Sequence, residues 1–270
     1  MNVKFKNYSW LMNVKPLCLR EKIFYRFFLN KKDYYDDLFI TARLEFAPQV
    51  SLELKSADVS HKTIAFCGFY ELPVTRYIAK LAKLHGGLMV DVGANYGYYS
   101  CLWAGLQTNN HVIAFEASPR NIAPLKNNII RNKLQSNIEV CEKAVGKKPG
   151  SLFFDLGPDD QSGWGGLTIS KYNNSIEVSI VTLDDLFSDN KYDQIDVLKI
   201  DTEGSDAWVI EGAERLLRSH KIRHIFFEEN LIRMSALSIK PGSAQKLLND
   251  FGYETKRLAQ CEWYAKPIRT

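Results

Sequence analysis

Two hydrophobic rhythms alternate along most of this 270-residue chain. Short apolar runs predict buried strands, and apolar residues three and four apart predict the helices between them. Near the start, Ile23, Phe24, Phe27 and Phe28 share one side of a predicted helix over 20–29, and 49–54 alternates as a short strand. Leu72-Pro73 opens a helix with Val74, Ile78 and Leu81 on one face, closed by Gly86-Gly87. The spacing then predicts a strand up to Gly93, a helix over 98–106, a strand over 112–116, a helix over 119–131 and a strand over 138–145. Residues 152–155 and 176–181 read as added β-structure around a glycine-rich loop. A strand over 197–201, a helix over 206–219, a strand over 225–228, a helix over 243–251 and strands at 253–256 and 262–265 complete the pattern.

Strands that alternate with helices predict a mostly parallel sheet covered on both faces. The expected fold class is α/β: a doubly wound, seven-stranded sheet that ends in an antiparallel hairpin. Residues 1–85 read as an N-terminal extension and 86–270 as the ligand-binding domain.

The turn that ends the first strand of that sheet, Asp91-Val92-Gly93-Ala94-Asn95-Tyr96-Gly97, carries the most chemistry. Gly93 stands where backbone must come close to a ligand, and Gly97 lets the next helix sit against the strand. Glu116 closes the following strand 23 positions after Gly93. That interval suits a carboxylate that takes the two ribose hydroxyls of an adenosine ligand. A dinucleotide fingerprint needs two further glycines, where this chain has Asn95 and Ser100, and no Gly-Lys-Ser/Thr follows the turn. Asp91 suits a cationic ligand without phosphate, and S-adenosylmethionine has an ammonium and a sulfonium. The bland alternative is a tight strand–helix turn beside a solvated glutamate; Asp91 and Glu116 together favour the cofactor.

Further segments occur in a recognisable order. They are Phe69-Tyr70-Glu71, Val181-Thr182-Leu183-Asp184-Asp185-Leu186, and Ile195-Asp196-Val197-Leu198-Lys199-Ile200-Asp201-Thr202-Glu203-Gly204, then Gly212-Ala213 and Glu228-Glu229. With the glycine turn they span about 66–251, and in them the chain resembles the FkbM-type S-adenosylmethionine-dependent methyltransferase family. Asp206 stands where that family often has Glu. The resemblance implies the Rossmann-like methyltransferase form of the doubly wound sheet.

Ligands of such sheets lie beyond the carboxyl ends of the strands, near the switch in strand order. This rule, which the resemblance supports, gathers Gly93, Glu116, Lys143-Ala144, Asp201 and Glu228-Glu229 on one rim, where Asp91, Gly93, Ala94, Asn95, Gly97, Glu116 and Asp201 are the expected cofactor contacts. Ala117-Ser118 is expected beside the adenine and Lys143-Ala144 on its other side; an ordinary solvated strand end is the alternative for Lys143.

A hydroxyl acceptor must lose a proton during methyl transfer, so a carboxylate in hydrogen-bond reach is useful. Asp201 is the expected catalytic base, with Glu203 in support. Both could instead cap the helix over 206–219, because anions favour a helix N-terminus. Glu71, Glu229 and His224 are weaker base candidates, with His224, which precedes a strand, reading rather as structural or exposed; Glu71, Glu229 and Trp164 are the expected acceptor contacts. The loop over 159–166, which carries Trp164, reads either as a lid or as a long surface turn. The resulting reading is an O-methyltransferase acting on a hydroxyl of a sugar, glycan or specialised metabolite. Its rivals are an N-methyltransferase on the same fold and a non-catalytic cofactor-binding module; Gly93, Gly97, Glu116 and Asp201 argue against the second.

Composition adds boundaries. With 46% apolar residues the chain can bury a full core. Five cysteines, odd in number and scattered, argue for a reducing compartment and against disulfides or zinc. Five histidines show no ligand spacing, so no metal is expected. There is no run of 18 apolar residues and no secretory signal, which makes the cytoplasm the expected location. The net charge is +4, yet residues 1–32 carry eight Lys and Arg against Glu21, a net +7. Trp10, Phe24, Tyr25, Phe27 and Phe28 lie among them. That mixture fits weak peripheral contact with an anionic inner-membrane surface or a lipid-linked acceptor. It fits better a helix whose apolar face packs on the domain while its lysines are solvated. No nucleic-acid partner is expected.

Overall fold

The computed structural model describes residues 11–28, 41–188 and 192–268. The N-terminal part contains α1 (Leu17–Phe27), β1 (Thr41–Arg43), β2 (Ser51–Glu53), α2 (Val59–Cys67) and α3 (Leu72–Leu84). Next come β3 (Leu88–Val92), α4 (Tyr98–Leu106), β4 (His111–Phe115), α5 (Pro119–Arg131), β5 (Ile138–Cys141) and β6 (Ala144–Val145). An insertion follows, with β7 (Gly150–Asp155), β8 (Gly166–Thr168) and β9 (Ser175–Val181), then α6 (Leu183–Leu186). The chain returns through β10 (Ile195–Ile200), α7 (Asp206–Glu211), α8 (Glu214–Arg218) and β11 (Ile222–Glu228). It ends with α9 (Leu231–Ala236), α10 (Ser243–Asp250), β12 (Tyr253–Arg257) and β13 (Glu262–Pro267).

The main sheet has seven strands in the order β12-β13-β11-β10-β3-β4-β5. β3, β4, β5, β10 and β11 pair in parallel, and β13 lies antiparallel between β11 and β12. The expected doubly wound sheet and terminal hairpin are both present. Strand order reverses between β3 and β10, so the crevice for a ligand opens at their carboxyl ends. Side chains alternate as a strand requires. Leu88, Val90 and Val92 enter one core with α7, α8 and α10, and Met89 enters the other with α3, α4 and α5. Asp91 shares the face of Met89, which explains a carboxylate with 2% exposure.

The N-terminal part joins the second core. Phe24 and Phe28 stack on Phe66 at 5.6 and 6.1 Å, as the packing reading expects. Phe27 departs from it: this residue is 60% exposed, because the stripe that faces α2 is too narrow for all four apolar residues. Arg20 is fully buried and bonds Glu45 Oε2 at 2.9 Å and the Cys67 carbonyl at 2.6 Å, so its charge faces no partner surface. Lys4, Lys6, Trp10, Lys31 and Lys32 lie outside the described residues.

Two expected elements are broken. The strand over 138–145 splits after Cys141: β5 pairs with β4, while β6 pairs with β9 in a separate four-stranded sheet, β6-β9-β7-β8. The helix over 206–219 divides at Gly212, which packs so closely on the Gly146 backbone that a Cβ would overlap it. The short helices α2, α6 and α9 were not expected from periodicity.

Candidate active site

A cavity of about 560 Å³ runs along the carboxyl ends of β3, β4, β10 and β11. At one end, Glu116 is 5% exposed. Its Oε2 accepts the Asn95 N–H at 2.7 Å, and its Oε1 accepts the Ser118 N–H at 2.8 Å. Two backbone donors thus fix the carboxylate, while burial pushes its pKa up to about 7. Asn95 Oδ1 faces the same cavity, buried and without a partner among the described residues. An adenosine ligand would satisfy it: Glu116 suits the ribose diol and Asn95 offers a spare acceptor.

Of the residues read from the sequence as cofactor contacts, Asp91, Gly93, Ala94, Asn95, Glu116, Ala117, Lys143, Ala144 and Asp201 line this cavity. The break between β5 and β6 is what presents Lys143 and Ala144 there. Gly97 and Ser118 do not line it. Gly97 lies against Leu125 with no room for a Cβ, and Ser118 acts through its backbone on Glu116. Asp91 accepts the Ser100 hydroxyl at 2.5 Å, and burial pushes its pKa up to about 6.

The opposite end is acidic. Asp201, Glu203 and Glu228 line the cavity there. Neither Asp201 nor Glu203 caps α7, the alternative that the sequence allowed. Asp201 Oδ2 lies 3.3 Å from Lys199 Nζ, and Glu203 accepts from Asn230 Nδ2 at 2.7 Å. Asp206 is the acid in the first turn of α7, and its carboxylate ties the preceding loop and β11, with Oδ1 accepting the Thr202 N–H at 3.1 Å and Oδ2 the Glu228 N–H at 2.8 Å. Burial pushes Glu203 up to about 7 and Glu228 up to about 8; neighbouring Asp201 adds to both.

Glu71 lies behind this wall rather than on it. Its Oε2 accepts the Tyr99 hydroxyl at 2.7 Å and stands 3.8 Å from Lys199 Nζ. Carboxylate oxygens of Glu71, Asp201 and Glu228 come within 4.8 Å of one another. Glu229 turns away and accepts the Gly242 N–H. His224 is also outside, bonded to Tyr264 Oη at 2.7 Å. Three site residues hold positive φ without being glycine: Glu71 (43°), Asn95 (51°) and Glu203 (52°). Strain of this kind gathers where surrounding contacts over-determine a functional geometry.

The loop over 157–166 crosses the cavity, and residues 161–165 line it. Ser162 donates its N–H and hydroxyl to Asp58 Oδ2 at 2.5 and 2.8 Å, and its carbonyl accepts from Asn121 Nδ2 at 3.0 Å. The Trp164 carbonyl accepts from Arg233. Trp164 itself is 56% exposed and Ile232 is 85% exposed; both line the acidic end of the cavity. Sequence reasoning missed Asp58, Asn121, Asn230 and Arg233, whose partners are remote in the chain. Lys199 carried a signal: a charge inside an otherwise apolar strand.

The Methyltransferase FkbM domain matches residues 91–255 of this chain. The 31-O-demethyl-FK506 methyltransferase FkbM of Streptomyces tacrolimicus is 28% identical over 159 residues, covering 48% of this chain. The chain spans 60% of the length of that relative. Among solved structures, similar ones include the O-methyltransferase from Bacillus cereus in complex with SAH (13% identity, TM-score 0.45, 74% of this chain and 82% of that one). The METTL16 MTase domain is another (15% identity, TM-score 0.46, 74% and 68%).

Proposed function

The chain belongs to the FkbM methyltransferase family, and on that premise we propose that it moves a methyl group from S-adenosylmethionine to a hydroxyl. The acceptor on this reading is a sugar, a glycan or a specialised metabolite. One observation carries it: a single cavity has a ribose-type carboxylate, Glu116, at one end and the free face of Asp201 at the other. S-adenosylmethionine supplies a carbon already activated by its sulfonium, so the protein mainly aligns the partners and removes a proton. Glu116 and Asn95 hold the nucleoside end, and Asp91 meets the cationic part of the cofactor. Asp201 accepts the hydroxyl proton through Oδ1, which makes no hydrogen bond among the described residues. Glu203, fixed by Asn230, shapes the acceptor side, and Trp164 gives a sugar face an apolar surface to rest on. The free state of all five cysteines supports the cytoplasm as the place of action.

The deciding experiment incubates the full chain with methyl-labelled S-adenosylmethionine and a panel of glycans, sugar nucleotides and hydroxylated metabolites. Label on oxygen supports the proposal, and label on nitrogen replaces it with N-methylation. Binding of S-adenosylhomocysteine without transfer to any acceptor would favour a binding module. With the acceptor in hand, Asp201→Asn should lower turnover by about 10²-fold or more, with smaller changes in melting temperature and cofactor affinity.

A further inference from the structure

Lys199 interrupts the apolar run Val197-Leu198-Lys199-Ile200 at a position where a parallel sheet, covered on both faces, calls for an aliphatic side chain. It is 3% exposed and does not line the cavity, so it touches neither nucleoside nor acceptor. Its ammonium lies 3.3 Å from Asp201 Oδ2, 3.8 Å from Glu71 Oε2 and 5.2 Å from the centre of the Tyr99 ring. Burial opposes this charge, yet Asp201, Glu71 and Glu228 together hold the lysine's pKa above its ordinary value.

Two carboxylates of the trio face the cavity, Asp201 and Glu228. Either has the chemistry of a base. The ammonium pairs with Asp201 and with Glu71 behind it, and no ion pair of 4 Å or less joins it to Glu228. One cation cannot balance three carboxylates this close together. Burial pushes Glu71 up to about 7 and Glu228 up to about 8, with Lys199 opposing both shifts.

We propose that Lys199 is a positioning residue for methyl transfer, which clamps Asp201 through Oδ2 and thereby selects Asp201 over Glu228 as the group that takes the acceptor's proton. The inference rests on the reading of this cavity as a methyl-transfer site with a carboxylate base. Asp201 follows the last residue of β10, and the 3.3 Å ion pair sets its carboxylate against the Lys199 ammonium. The clamp leaves Oδ1 turned to the cavity and leaves protons to Glu71 and Glu228.

The test is a side-chain carboxyl 13C NMR titration of the full chain, with signals assigned through Glu71→Gln, Asp201→Asn and Glu228→Gln. An opposite charge within about 4–6 Å shifts a carboxylate by about 1–3 units. Lys199→Met should therefore raise the midpoints of Glu71 and Glu228 by about one unit or more, and Lys199→Arg should return them toward wild type. Superimposable curves for wild type and Lys199→Met overturn the proposal. Should that variant not fold, Lys199→Met is placed in a Glu71→Gln background and compared with Glu71→Gln alone, so that only the cation differs, and a Glu228 curve identical in the two overturns it equally. Failure of the underlying reading is seen elsewhere, as undiminished turnover in Asp201→Asn.

Discussion

Gly93 and Asp201 meet backbone to backbone where the strand order of the sheet reverses, so closely that a Cβ on Gly93 would overlap the Asp201 carbonyl. The Asp201 N–H reaches across to the Val92 carbonyl at 2.9 Å, which ties the ends of β3 and β10 together. Cofactor turn and expected base are thus parts of one junction.

Gly93→Ala should damage folding and binding together. Gly93 has φ +84°, and a non-glycine residue held there costs about 1–3 kcal/mol before any overlap is counted. At about 2–4 °C per kcal/mol for a domain of this size, melting should fall by several degrees, and calorimetry should show weaker S-adenosylhomocysteine binding. An unchanged melting curve would mean that the junction relaxes freely.

Glu116→Gln keeps the shape and removes the charge. Hydrogen bonds to a charged group contribute roughly 1.5–3 kcal/mol, so affinity for S-adenosylhomocysteine should fall about 10- to 100-fold. NAD serves as the control ligand. Tight NAD binding by the wild-type chain, with none for the homocysteine product, would overturn the adenosine-thioether assignment.

Acidity should stabilise this protein over a range where many others gain nothing from it. Burial holds Glu71, Glu116 and Glu203 up to about 7 and Glu228 up to about 8, against an ordinary value of 4.5. The folded chain therefore binds more protons than the unfolded chain between those limits. The contribution is complete below the unfolded pKa and is lost as pH rises through the folded values. Melting temperature of the ligand-free chain should be highest near pH 5 and decline through pH 8. A rise over that interval would show that these carboxyls are ionised in the fold.

The basic N-terminus gives a separate expectation. Arg20 is spent internally, so the attraction to an anionic surface rests on the remaining lysines and arginines, at about 1 kcal/mol each near the surface. Co-sedimentation with anionic vesicles at low salt, lost at high salt and absent with neutral vesicles, is the expected pattern. No binding to anionic vesicles at low salt would leave α1 as a packing element alone.

Features encoded within a few residues were legible in the sequence. The bounds of α4 and α5 follow from Gly97, Pro119 and apolar spacing, and Gly93, Glu116 and Asp201 follow from where strands end. Features made by remote pairing were not. Ser162 and Asp58 meet across 104 residues, and no local pattern announces that bond. Glu228 and Glu229 are adjacent in sequence, but strand alternation sends one into the cavity and the other out to Gly242, a choice fixed only by the register of β11 against β13. Glu71 was legible as a motif residue but not as a buried one, since its depth comes from Tyr99 and Lys199 on other elements.

The loop over 157–166 is tied by Lys55 and Asp58, by Arg120 and Asn121 of α5, and by Arg233 of α9. A nucleoside seated at Glu116 lies beneath that strap, whereas the acidic end is reached past Trp164 and Ile232. The two ligands therefore have unequal freedom to come and go. On the proposed reading this predicts ordered exchange, with the nucleoside first to enter and last to leave, which product-inhibition patterns would check and a random order would overturn.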